Sequence, residues 1–530
     1  MSQTLHALSP SVRNIPLVNA WFAHPYLVSP LTFGLYTRHS HLAMLESFLE
    51  DPSQHLESAR RPELLGGPFI NYPGDPADMA RFRDATLERC APQLRAADAI
   101  NAMYQMLQEQ AKGAGLPALY AQVDASIRRG VELSYNVSKQ PDVRFIEPVF
   151  YDGPLFDTSL QTCLLERATL DPRSFVLSTP QIRAGDRTVE LRLPFGDPLW
   201  NALNGGTHDV DGLLEQLRPH LGDAARGMPL LRQMLEPVRP AASKDGWPGD
   251  GVRLRYFGHA CVLMESAGTS ILIDPLLSYP GESAVDHYTF DDLPERIDYL
   301  LITHPHQDHI VFETLLRLRH KVGQVVVGRG GGGLPDVSLK LMLRHCGFER
   351  VIELGEYEAL EFDGGRILGA PFYGEHADLD IRSKLAFGIQ MQGACCLFFA
   401  DSNPPAADFY EPLKKLMPRI DALFLGMECV GAPATWLYGS LLQKMLTRGE
   451  DQSRRLDGCD AARALQMHAF FDPKRLFIYA MGAEPWLTHI TSIAYSEEST
   501  QFKEARKVER TLREQGRQAE VLFGRMELLL

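Results

Sequence analysis

The apolar positions of this chain change their spacing about halfway along it. Before residue 240 they recur mainly with helical periodicity, and the segments 42–49, 96–110 and 116–130 each predict a helix. Segments 144–151 and 187–193 instead alternate apolar with polar residues and predict strands. Residues 1–240 therefore read as a mixed α+β domain, with aromatics enough for a core of its own. Segment 237–250 is rich in proline, glycine and small residues and predicts a linker. From Val252 onward the texture is different. A strand, a tight turn and a second strand are expected over 252–265, with a third strand over 270–274 that Pro275 ends. Further strands are expected at 297–302, 324–327, 350–354, 359–362, 366–372, 395–399, 422–425 and 475–479, with helices at 339–346 and 461–471 among them. Such alternation predicts a layered α/β domain over 251–530 with polar chemistry at strand ends.

One polar stretch breaks this pattern where a buried run ends. Residues 297–302 lead into Thr303-His304-Pro305-His306-Gln307-Asp308-His309, and 310–318 resume with helical spacing. Three imidazoles and a carboxylate at a strand tip are more donors than a solvated turn requires. His304 and His306 alternate and can point one way, while Asp308 and His309 can reach a second centre. Two metal ions about 3.5–4 Å apart suit such a cluster. The H-x-H-x-D-H spacing resembles the signature of the metallo-β-lactamase superfamily, whose αββα sandwich is the fold it implies. Asp401 ends the apolar run 397–400 and opens a polar turn, so in this company it is a metal-bridging carboxylate, where otherwise it would cap the turn.

Hydrolases of that superfamily place a His near the end of segment 366–373, where this chain has Glu375 and His376. Adjacent residues on an extended segment face opposite ways, so one of the two is expected to bind. An imidazole there suits Zn²⁺, and a carboxylate moves the site toward iron. The superfamily's last His follows the final core strand, but 480–486 contain none. His489 further along and His468 on the preceding helix are the candidates, one of which would serve, and Glu428 is an acidic residue placed to back the ligands.

Composition narrows the function. A chain of 530 residues is too long for one core at roughly 100–200 residues per domain. Hydrophobic content of 45% and charged content of 23% are those of a soluble globular protein. A net charge of −14 argues against a general nucleic-acid binder. No apolar stretch is long enough to span a membrane, and the first residues lack a secretory pattern, so a cytoplasmic location is expected. The eight cysteines show no paired spacing, and Cys395-Cys396 read as core residues. Gly330 to Gly333 lack the Lys-Ser/Thr of a phosphate loop and read as a flexible turn.

With length, the large N-terminal region and Gly374-Glu375-His376 added to the H-x-H-x-D-H set, the chain resembles a branch of the superfamily. That branch comprises diiron β-hydroxylases acting on aminoacyl groups tethered to nonribosomal peptide synthetases. The resemblance implies that His304, His306 and Glu375 bind one iron, that Asp308, His309 and a late His bind the other, and that Asp401 bridges them. It implies an O₂-dependent monooxygenase that takes electrons from an external donor and its substrate from a synthetase carrier domain. It also implies a homodimer, with residues 1–240 for dimerisation and carrier docking, and no nucleic-acid or membrane partner. The competing expectation is a dizinc hydrolase of a phosphodiester, amide or thioester. A non-catalytic assembly role fits poorly with an intact donor set.

Overall fold

Strands rich in β-branched and aromatic residues build two facing seven-stranded sheets in the C-terminal half. The computed structural model describes residues 4–170, 173–182, 185–238, 247–493 and 495–530. Most of the expected linker thus lies outside the described residues.

The first sheet runs, edge to edge, Val351–Leu354, Val322–Gly328, Ile297–Ile302, Thr269–Ile273, Cys261–Ser266, Arg253–Gly258 and Met526–Leu529. The second runs Ala359–Phe362, Gly365–Ala370, Ala386–Met391, Ala394–Phe398, Ala422–Gly426, Arg475–Tyr479 and Gln518–Val521. Each sheet is half antiparallel hairpins and half parallel strands. The parallel strands need crossover helices. Phe312–Leu318 and Leu339–His345 serve the first sheet, and Ala461–Phe471 and Thr500–Glu514 cover the second. Between the sheets lies a dry layer in which Ile273 and Leu301 from one meet Phe398 and Phe424 from the other. This is the metallo-β-lactamase αββα sandwich, with a mixed α+β region in front of it. The last strand returns to the first sheet, pairing Leu528 with Leu254, and ties the chain's end to the start of the sandwich.

Residues before 240 form a four-stranded antiparallel sheet, Trp21–Phe22, Val12–Val18, Gln161–Arg167 and Val189–Leu191, with helices that include Leu42–Glu50, Pro76–Arg89 and Ala91–Gln110. Leu8, Cys163, Trp200 and Leu231 make a core of their own here. A second core is shared: Phe33, Leu45 and Ile100 pack in one cluster with Phe312, Leu315 and Leu343. The helix expected over 116–130 is absent. Pro117 starts a short 3₁₀ turn, Pro117–Gln122, and Asp124 then accepts from the Ser126 backbone N–H (2.8 Å), which diverts the chain into a turn. The strand expected at 144–151 stops at Phe145, because Pro148 opens the helical turn Pro148–Tyr151. Among the described residues no helix is long and apolar enough to cross a membrane.

Candidate metal centre

The C-terminal ends of parallel strands from both sheets open on one side of the sandwich, and the polar residues cluster there. Ile297–Ile302 delivers His304, its neighbour Thr269–Ile273 delivers Asp274, and Ala394–Phe398 of the second sheet delivers Asp401. Gly426, at the end of the strand beside it, has to be glycine. A Cβ there would sit 2.4 Å from the Ala400 carbonyl oxygen and 2.8 Å from Asp401 Oδ1.

Two groups of ligand-type atoms result. His304, His306, Glu375 and Asp401 converge in one, and His259, Asp308 and His309 in the other, the atoms within each lying within 4.8 Å of one another. Asp401 stands between the groups: its Oδ2 is 3.5 Å from His304 Nε2 and 2.9 Å from His309 Nε2. His306 Nδ1 faces Glu375 Oε1 at 2.9 Å, and His259 Nε2 faces Asp308 Oδ2 at 3.3 Å. All these side chains are buried except Asp308, which is partly covered.

The donor set fits metal ions. His259 Nε2, His304 Nε2, His309 Nε2, Glu375 Oε2 and Asp401 Oδ1 are buried without a hydrogen-bond partner. Leaving such groups unsatisfied costs roughly 1–3 kcal/mol each, so converging them is sensible only around cations. The donors are nitrogen and oxygen alone, since none of the eight cysteines joins either group. Three carboxylates and four imidazoles would leave two divalent ions almost charge-neutralised.

Buried partners aim the ligands. Asp274 Oδ2 accepts from the Thr303 hydroxyl (2.6 Å) and sits 2.8 Å from His309 Nδ1, which leaves His309 Nε2 to face Asp401. The Thr303 hydroxyl also lies 2.9 Å from His304 Nδ1, turning that ring's Nε2 inward. The Tyr438 hydroxyl bridges His306 Nε2 (2.9 Å) and His376 Nδ1 (2.7 Å). Half-buried Glu428 lies near the cluster. Burial first, then the carboxylates of Asp401, Asp308 and Glu375, raise its carboxyl well above the usual range.

Several sequence expectations need correction. Glu375 and His376 do not face opposite ways, because the segment is not extended. Gly374, Glu375, Ala377 and Asp378 all take left-handed backbone (φ +65°, +66°, +54° and +59°), and the tight coil brings both side chains to the cluster. His376 Nε2 lies 3.1 Å from Glu375 Oε2. His468 and His489 join neither group. His468 lies at the end of its helix, where its electrostatic neighbours are Arg517 and Asp472. His489 is carried past the site to pack edge-on against Phe22 (6.1 Å) in the N-terminal half.

The imidazole that joins Asp308 and His309 in the second group is His259, which sequence patterns alone do not single out. It sits at the turn between Arg253–Gly258 and Cys261–Ser266 with φ +51°. The segment after the last core strand holds it: the Gly482 N–H donates to His259 Nδ1 (3.1 Å), and the Ala480 N–H to its carbonyl (2.9 Å). Its signal in the sequence is a lone His in a tight turn between two apolar strands. Asp274 and Tyr438 also escape the sequence patterns. Asp274 could be found as a carboxylate at a buried strand end, whereas Tyr438 lies in a segment with no motif.

Comparison with known proteins gives a consistent picture. The family described as diiron non-heme beta-hydroxylase N-terminal domain matches residues 7–237, and the beta-lactamase superfamily domain matches 253–428. The 4-amino-L-phenylalanyl-[CmlP-peptidyl-carrier-protein] 3-hydroxylase of Streptomyces venezuelae is 34% identical over 528 residues, covering 97% of this chain and 98% of its own. The crystal structure of CmlA, a diiron beta-hydroxylase from Streptomyces venezuelae, superposes with a TM-score of 0.93 at 32% identity over the whole of both chains. A UPF0173 metal-dependent hydrolase of Aeropyrum pernix is 30% identical over 135 residues, 26% of this chain and 49% of its own.

Proposed function

The chain belongs to the diiron non-heme β-hydroxylase family, and from that membership we propose that it hydroxylates the β-carbon of an aminoacyl group tethered to a carrier domain of a nonribosomal peptide synthetase. The observation that carries this is likeness to such a hydroxylase along the whole chain, N-terminal half included. A dizinc hydrolase would account for the sandwich alone and leaves residues 7–237 without a role.

His304, His306 and Glu375 would hold one iron, His259, Asp308 and His309 the other, with Asp401 shared. When bound, the irons supply the activation of O₂: with two electrons and two protons, one oxygen atom enters the C–H bond and the other leaves as water. The protein's own residues prepare that chemistry. Asp274 and Thr303 fix two imidazole orientations, Tyr438 ties His306 to His376, and the N-terminal half covers the site against stray water and reductants. Electrons come from an external donor, the enzyme works in the cytoplasm, and residues 1–240 serve dimerisation and carrier docking.

The test is metal analysis joined to single-turnover assay. Protein made under iron-replete conditions should hold close to two irons per chain. Once reduced and exposed to O₂, it should add one oxygen atom to the carrier-linked amino acid and leave the free amino acid untouched, because carrier binding helps position the reacting carbon. Two zincs per chain with thioester or phosphodiester cleavage would replace this reading with the hydrolase.

A further inference from the structure

Three buried tyrosines form an unbroken line between the candidate metal centre and a cavity. The Tyr438 hydroxyl, at the end of the helix Ala434–Tyr438, meets His306 Nε2 at 2.9 Å and His376 Nδ1 at 2.7 Å. Its ring stands edge-on to Tyr26, with centroids 6.0 Å apart, and the two hydroxyls share a hydrogen bond. Tyr26 in turn stacks on Tyr36, with centroids 5.9 Å apart and planes 11° from parallel. Tyr26 lies in the turn Pro25–Val28 and Tyr36 ends the helix Pro30–Tyr36, so the N-terminal half supplies two of the three rings.

The outer member differs from the other two. Tyr26 and Tyr438 are fully buried, whereas Tyr36 keeps 7% of its surface and lines a cavity of about 360 Å³. No residue of the two ligand groups lines that cavity, so from it the centre is reached through these rings. Directly after Tyr36 the helix gives way to a π-helical turn, Thr37–His41, and His41 lines the same cavity; such turns are frequent at functional sites. Packing alone would be served as well by phenylalanine, which brings no hydroxyl to be satisfied.

We propose that Tyr438, Tyr26 and Tyr36 are a hole-transfer chain, which lets the centre reduce O₂ to water with electrons from a small reductant when no carrier-linked substrate is in place. The proposal rests on the diiron function above and adds a protective activity to it. Two of the four electrons that turn O₂ into water come from the reduced irons, and two come singly through the chain. In each passage Tyr438 gives an electron to the centre and its phenol proton to His376 Nδ1, from which the proton goes on to the oxygen. Tyr26 refills Tyr438, its proton crossing their hydrogen bond, and Tyr36 refills Tyr26 across the stacked rings. A reductant of the ascorbate class, meeting Tyr36 at the cavity, restores it. Per passage one electron and one proton leave the reductant and one of each reach the oxygen, so the chain ends unchanged. The remaining two protons come from solvent. A phenol yields an electron only to a strong oxidant, so the chain is silent toward the external donor and acts only after O₂ has reacted. It thereby spares the residues around the centre from a competing oxidation.

The experiment mixes the reduced, iron-loaded full chain with O₂ in the absence of carrier-linked substrate and freezes it for electron paramagnetic resonance. A phenoxyl radical signal should appear, change in protein made with ring-deuterated tyrosine, and decay faster as ascorbate is raised. In Tyr36→Phe and Tyr26→Phe, which keep the rings and their packing, the radical should still form on Tyr438, but its decay should no longer respond to ascorbate. Tyr36→Phe should hydroxylate as fast as the wild type when given carrier protein charged with each common amino acid in turn, since Tyr36 stands two rings away from the ligands. Without substrate but with ascorbate, it should lose its iron over repeated O₂ cycles that the wild type survives. An equal response to ascorbate in wild type and both variants would overturn the inference, as would the absence of a tyrosyl signal in a chain that holds iron and hydroxylates. A chain that holds iron and forms the radical but hydroxylates none of the charged carriers would overturn the proposed function and leave the tyrosine chain standing. Zinc instead of iron would overturn both.

Discussion

Glu375 Oε1 faces His306 at 2.9 Å, while Oε2, which has no hydrogen-bond partner, lies 3.1 Å from His376 Nε2. The Lys384 ammonium grips the same coil by donating to the Gly374 carbonyl (3.2 Å). A carboxylate can bind a metal through one oxygen or two, so Glu375 would offer the proposed iron a choice of denticity that an imidazole lacks. Glu375→His is therefore expected to fold and hold two metals with a larger share of zinc, and to lose hydroxylation; metal analysis beside single turnover reads both. His376→Ala would be harmless if that ring faced away, but its Nδ1 shares the Tyr438 hydroxyl bridge to His306 (2.7 Å) and its Nε2 lies 3.1 Å from Glu375 Oε2. Its removal should weaken iron binding or turnover by roughly 10–100-fold, as for other groups that orient ligands. Unchanged iron content and rate would show the bridge to be idle. Asp401→Ala should lose most of the iron, and full retention would reduce Asp401 to a turn cap. At this scale the sequence was legible where ligands sit close together, as in His304 to His309. It misled where contact depends on backbone conformation, as in the left-handed coil at Glu375, or on distant partners, as for His259, whose anchor is Gly482.

The strands of the sandwich could be read from their apolar runs, and Ala359–Phe362, Arg475–Tyr479 and the helix Ala461–Phe471 fall where periodicity put them. Elements whose faces are settled by neighbours were harder to read. Met526–Leu529 is a strand because Arg253–Gly258 offers it an edge, and residues 116–130 are coiled because proline and an Asp turn outweigh apolar spacing. One junction between elements carries a pH dependence. Glu147 precedes the turn Pro148–Tyr151, and its two oxygens accept from the Ser338 N–H (3.0 Å each) at the start of helix Leu339–His345. Burial raises its pKa from 4.5 to about 7. A carboxyl whose folded pKa is raised favours the fold most below the unfolded value, and that contribution fades as pH climbs through the folded one. Each tenfold difference in proton affinity between folded and unfolded chain is worth about 1.4 kcal/mol. Stability against urea should therefore fall by roughly 3 kcal/mol between about pH 4.5 and pH 7.5 on this group's account. Subtracting the Glu147→Gln curve from that of the wild type isolates the effect. Parallel curves would mean that Glu147 titrates normally.

The molecule as a whole is coupled by the core that its two halves share. Phe33, Leu45 and Ile100 pack with Phe312, Leu315 and Leu343, and Tyr438, which touches His306, belongs to the same cluster. The buried pair Arg173–Glu313 joins the halves again. The residues before 240 do have a core of their own around Trp200, yet cutting them free would expose the shared apolar face. Unfolding should accordingly be one transition, seen alike by aromatic circular dichroism and by loss of the metal-linked absorption. The cluster should set its position. Without cations, two buried carboxylates, the partly covered Asp308 and four buried imidazoles face one another, five of these groups with an unpaired buried atom. Metal that binds only the folded chain adds about 2.7 kcal/mol per site when present at a hundred times its Kd. Removing the metal with a chelator should lower Tm for the whole chain, and iron should restore it. Two separated transitions, with only the later-numbered half responding to chelator, would show that the shared core does not couple the halves. In that case the N-terminal region would cover the site without depending on it for stability.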